Sequence, residues 1–171
     1  MFFLAEEGKW MNAGAYDNNM LYRLAQTLAG GGQHFTAAAL RKLVQEGYTT
    51  LAQVDGVSDW VLLSIRGIGV GRLGEVRRLT RPDWQPPSSQ AIRAANWFLS
   101  AAQFALRYWP IETLAALIQG SAPAKATGDP VERRLALDVF SQAVRKALHY
   151  CEAEELVQAL WQAENGRSGR I

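Results

Sequence analysis

An all-α fold, with a small helix-hairpin-helix domain followed by a second helical bundle, is predicted by three features of the sequence. Apolar residues recur at 3–4 spacing in almost every segment, Ala, Leu, Gln, Arg and Glu dominate, and strand-like alternation is absent. Helix-start residues and glycine stops divide the chain at regular intervals. A glycine-rich turn lies between two short apolar segments at 62–79.

The elements follow in order. Met20-Leu21, Leu24-Ala25 and Leu28 form one helical stripe, with Asn18 or Asn19 as cap, and Gly30-Gly31-Gly32 ends it. Thr36 is placed to cap a second helix through Glu46, with Leu40, Leu43 and Val44 inward and Gly47 as its stop. Thr50 and Gln53 fit a capping box, and Ser58 suits the cap of a short helix to Ile65. A helix from about Gly71 to Leu79 comes next. Residues 81–89 hold three of the six prolines and read as a semi-rigid linker.

The helix expected over 89–109 is apolar except for one stripe: Arg93, Asn96, Ser100, Gln103 and Arg107. Such a helix is central in a bundle or docks on a partner. Pro110 is placed at the first position of the next helix, which Gly120 ends. Residues 120–128 read as a loop. Asp129-Pro130-Val131-Glu132 is a start signal, with Leu137, Phe140, Val144, Ala147 and Cys151 as the inner stripe. Glu152, Glu154 and Glu155 suit the start of a last helix, with Leu156, Val157, Leu160 and Trp161 inward. The expected organisation is an N-terminal helix and glycine joint at 1–35 and a hairpin domain at 36–80. A linker at 81–89, a bundle at 90–165 and a tail at 166–171 follow.

The 171 residues are 49% apolar and 20% charged, which excludes global disorder. A single cysteine, Cys151, excludes a disulfide framework and a cysteine-cluster zinc site, and a cytoplasmic location is the expectation. No apolar run reaches membrane-spanning length, and the start lacks the basic and long apolar regions of a signal peptide. The net charge of +2 is unevenly spread. Residues 66–81 carry five arginines (66, 72, 77, 78, 81) against the single acid Glu75. Such a cluster points to a polyanion partner or to a solvated helix face.

Gly69, Gly71 and Gly74 also match a dinucleotide-binding glycine pattern, but no second strand follows. Asp83 lies in the proline-rich segment, and Glu152, Glu154 and Glu155 read as a helix start rather than a metal cluster. His149 and Cys151 would point to different sides of one helix. No catalytic residue, metal site or cofactor is expected, and the chain reads as a non-enzyme.

The core of 62–79 is apolar-x-Gly-apolar-Gly. In a helix-hairpin-helix its glycines permit a tight turn, Ile65, Ile68, Leu73 and Val76 pack the helices, and free backbone N–H groups hold a phosphate. The segment Thr36 to about Trp84 resembles the C-terminal domain of the bacterial RNA polymerase alpha subunit. The matching pieces are Ala39 and Leu43, Gly47-Tyr48-Thr49-Thr50-Leu51, Leu62-Leu63-Ser64-Ile65-Arg66, Ile68-Gly69, Leu73, Glu75-Val76 and Leu79. The resemblance implies a compact helical domain that binds the DNA minor groove near promoters and is contacted by activators. Ala38 stands where the family has its groove-reading arginine, and Arg41, Gly71 and Arg72 replace an asparagine, a lysine and a serine.

The expected function is therefore a non-catalytic DNA-binding protein in transcription, holding double-stranded DNA with low sequence specificity. Its expected contacts are Arg41, Lys42, Arg66, Gly67, Gly69, Gly71, Arg72 and Arg77. The alternative is a protein-interaction subunit of a larger nucleoprotein complex that uses the hairpin domain for docking. A protein partner or a second copy is expected to meet 90–165 through Trp97, Phe104 and Tyr108, and no membrane partner is expected. Arg72, Arg77 and Arg78 discriminate the two: a DNA reader needs them exposed together.

Overall fold

The computed structural model describes residues 2–4, 10–12, 18–121, 123 and 130–168. Nine helices and one two-stranded hairpin are present among them. The chain packs as two units, residues 1–57 with 71–84 and residues 58–70 with 85–171. A contiguous 36–80 module is thus interrupted: residues 58–70 are built into the second unit.

In the first unit, β1 (Phe2–Leu4) pairs antiparallel with β2 (Trp10–Asn12). The hairpin precedes the expected N-terminal helix, in a stretch where no strand is expected. α1 (Met20–Gly30) packs on α2 (His34–Gln45). Asn19 caps α1 by accepting from Tyr22 N–H at 3.0 Å, and its amide donates to Tyr48 O at 2.9 Å. Thr36 is not a cap. It lies buried inside α2, with its hydroxyl donating to Glu75 at 3.1 Å. Gly47, at φ +93°, takes the left-handed turn that stops the helix. The Thr50–Gln53 capping box of α3 (Leu51–Asp55) forms as expected, at 3.2 and 3.3 Å. α5 (Val70–Thr80) buries Leu73, Gly74, Val76 and Arg77. The chain then turns at Arg81–Trp84. A Cβ on Gly74 would lie 3.4 Å from the Trp84 ring, so this part of the linker is anchored on α5.

In the second unit, Ser58 caps α4 (Asp59–Leu63), and Trp60 of that helix joins the unit's main core. Ser88 caps α6 (Ser89–Ala105). Pro110 precedes α7 (Ile111–Ile118) as its cap, one position outside the helix. α8 (Val131–Ala147) starts after Pro130, and Asp129 lies outside the described residues, as does most of the expected loop 120–128. α9 (Ala153–Ser168) carries the first three residues of the expected tail, and 169–171 lie outside the described residues.

The inner face of α6 is Ala91, Ala94, Ala95, Phe98, Ala101, Ala102 and Ala105. Its alanines let α8 and α9 approach closely around Phe98, whose ring lies 5.8 Å from Phe140. The predicted polar stripe of α6 is exposed along its whole length. Hydrogen bonds from Tyr150 to Gln90 and from Trp109 to Arg133 O place α6 and α8 antiparallel. Trp161, expected inward, is exposed, because the α9 stripe runs through Leu156, Ala159, Leu160 and Ala163.

Candidate functional site

The expected DNA contacts divide between the units. Arg41, Lys42, Gly71, Arg72 and Arg77 belong to the first, and Arg66, Gly67 and Gly69 to the second.

Arg77 is the main correction. It is 0% exposed, and its guanidinium donates to Val54 O at 3.0 Å and to Val57 O. A buried guanidinium spanning the carbonyls at the end of a five-residue helix is a fold element. It satisfies groups a short helix leaves unpaired and places positive charge at the negative helix end. Arg81, one turn on, reaches the same place: its Nε meets Asp55 Oδ1 and its Nη2 meets Asp55 O, both at 2.6 Å. Arg78 pairs with Glu75 at 2.7 Å on the helix surface. The Arg72 guanidinium lies 5.6 Å from the centre of the Phe35 ring, itself 54% exposed. Arg41 and Lys42 are half-buried on α2. The arginines of α5 and its end are thus largely engaged within the first unit.

In the second unit, Arg66, Gly67 and Gly69 are exposed. Gly67 takes φ +88°, so the turn there requires glycine. Gly69 and Gly71 have no such requirement, and a Cβ on Gly69 would meet nothing within 4 Å. The glycine pattern from Gly69 to Gly74 follows helix α4 rather than a strand, so the dinucleotide-binding geometry is absent.

The expected partner-binding trio also divides. Phe104 and Tyr108 meet edge to face at 5.6 Å, and Tyr108 stays 37% exposed. Val131 and Leu135 are exposed on α8, near the same end of the α6–α8 pair by the Trp109–Arg133 bond. Trp97 lies farther along α6. It lines a separate cleft with Gln90, Arg93, Ala94, Lys146 and Tyr150, which sequence reasoning missed. Helical spacing places 90, 93, 94 and 97 on one edge of α6, but their pairing with Lys146 and Tyr150 needs the α6–α8 register.

Burial, then the charges of Glu155 and Glu152, pushes the Cys151 thiol up to about 12, and Sγ donates to Ala147 O at 3.5 Å. The described residues include no cluster of three or more His, Cys, Asp or Glu able to hold a metal ion. Nor is any of their helices long and apolar enough to cross a membrane. No protein family, curated protein or solved structure matches the chain.

Proposed function

We propose that the chain is a non-catalytic, cytoplasmic docking subunit of a larger nucleoprotein complex. The observation that carries this reading is exposed apolar surface at one end of the second unit: Tyr108, edge to face with Phe104, after α6, and Val131 and Leu135 on the first turns of α8. Aromatic and aliphatic side chains grouped on a surface are the usual anchors of a protein interface. The buried Arg77 weighs the same way, because a duplex reader needs Arg72, Arg77 and Arg78 exposed together. The nucleoprotein setting comes from the resemblance of 36–84.

Light scattering over a range of concentrations, with a photo-crosslinking residue at Tyr108, tests it. Expected is self-association, or stoichiometric capture of one protein, that Tyr108→Asp with Leu135→Asp abolishes. A strict monomer that captures nothing, or an association indifferent to both changes, contradicts it.

A second reading, weak holding of a duplex backbone, is favoured by the exposed turn of Arg66, Gly67 and Gly69. Anisotropy titrations of unrelated duplexes at several salt concentrations test it. Arg66→Ala then weakens all duplexes alike and lowers the salt slope by about one unit. Gly69→Ala is a clean probe of close backbone approach, since its methyl meets nothing in the fold.

A further inference from the structure

We infer that the cleft between α6 and α8 binds a nucleotide, with the base stacked on Trp97 and the phosphate between Arg93 and Lys146. The cleft has a volume of about 390 Å³ and is lined by Gln90, Arg93, Ala94, Trp97, Lys146 and Tyr150. That is the lower end of the range for small-ligand sites, which starts at roughly 300 Å³.

Three features choose the ligand. Trp97 is 41% exposed, although a tryptophan buries well. A ring left open on a cleft wall is a stacking platform for any base. Arg93 stands one helical turn before it, and Lys146 stands on the opposite wall. The sequence from Trp84 to Ile111 contains no carboxylate, and neither does that from Val139 to Cys151. Neither cation therefore has an acid in the neighbouring turns of its own helix. Their field is set toward an anion, and Glu155 of α9 is turned onto the Glu152 N–H. Gln90 and Tyr150, bonded to each other at 3.3 Å, supply both a donor and an acceptor at the cleft's end. A base edge or a sugar hydroxyl needs that mixture.

A duplex hides its base faces inside the stack, so the ligand is a free nucleotide or an unpaired one in a single strand. An acidic peptide is the weaker fit. It would use a line of cations, whereas Arg93 and Lys146 converge on one cleft beside one flat ring.

The test uses the full chain, a labelled oligothymidylate, a labelled adenine mononucleotide and a labelled glutamate-rich peptide, by fluorescence anisotropy at low salt. Binding of either nucleotide probe is expected, with Trp97→Ala weakening it about tenfold. Lys146→Gln and Arg93→Gln weaken it as well. On the oligonucleotide, each lowers the salt slope by about 0.7, the share of one neutralised phosphate on a single strand. Preference for the oligonucleotide assigns the site to single strands, and equal binding assigns it to the free nucleotide. Circular dichroism checks that each variant folds; Lys146→Gln lies on an exposed surface and keeps the test decisive if Trp97→Ala does not fold. Failure of both nucleotide probes to bind overturns the inference, as does binding indifferent to Trp97→Ala and Lys146→Gln. Binding of the peptide alone also overturns it.

Discussion

The two units use positive charge in opposite ways. In the first, closely spaced arginines on α5 and at its end turn inward or sideways. Arg77 is buried on carbonyls of the α3 end, Arg81 holds Asp55, Arg78 pairs with Glu75, and Arg72 lies over Phe35. In the second, two cations far apart in sequence, Arg93 and Lys146, flank an open tryptophan. Density of charge along a chain therefore says little about charge available to a ligand. What decides is whether a carbonyl, a carboxylate or a ring of the same unit lies within reach.

The largest effect expected from breaking this contrast is at Arg77. Arg77→Ala removes a buried side chain and leaves the Val54 and Val57 carbonyls without it, a loss of roughly 3 kcal/mol or more by urea unfolding. A change below about 1 kcal/mol would mean that Arg77 is not a fold element. Arg133→Ala comes next. Its guanidinium lies 4.1 Å from the centre of the Trp109 ring, and the loss is about 1–2 kcal/mol. That residue is the second unit's parallel to the arginines of the first. Arg81→Ala should cost less, about 0.5–1 kcal/mol, because its pair with Asp55 is exposed to solvent. Arg78→Ala, Arg93→Gln and Lys146→Gln should each leave stability within about 0.5 kcal/mol. If either cleft variant lost much more, Arg93 or Lys146 would also be structural.

The smallest effect concerns Cys151. Its folded thiol is pushed up to about 12, above the unfolded value of about 8.5. The folded chain keeps its proton where the unfolded chain loses it, so this group's contribution to stability declines as pH climbs from about 8.5 toward 12. Alkylation followed by mass spectrometry should be slow at pH 8 in the native chain and fast in urea.

Much of the helical framework is legible because short-range chemistry specifies it. Asn19, the Thr50–Gln53 box and Ser58 each cap a helix with their own side chains. The polar stripe of α6 follows from its spacing alone. The N-terminal hairpin is not legible, since two three-residue strands have too little pattern to stand out. Thr36 misleads because a buried hydroxyl and a cap look alike until Glu75 is placed beside it. Arg77 does carry a signal. Leu73, Val76, Arg77 and Thr80 have the 3, 4 and 7 spacing of an inner face, so the arginine sits on the apolar stripe. Its partners on α3 require the fold, as does the cleft, whose walls are some 50 residues apart in sequence.

Arginine accessibility tests the central contrast most directly. The native chain is treated with an arginine-selective dicarbonyl reagent, and modified sites are timed by mass spectrometry. The account predicts that Arg66 and Arg93 react first and that Arg77 reacts only when urea unfolds the chain. Reaction of Arg77 as fast as Arg66 in the native chain would contradict it.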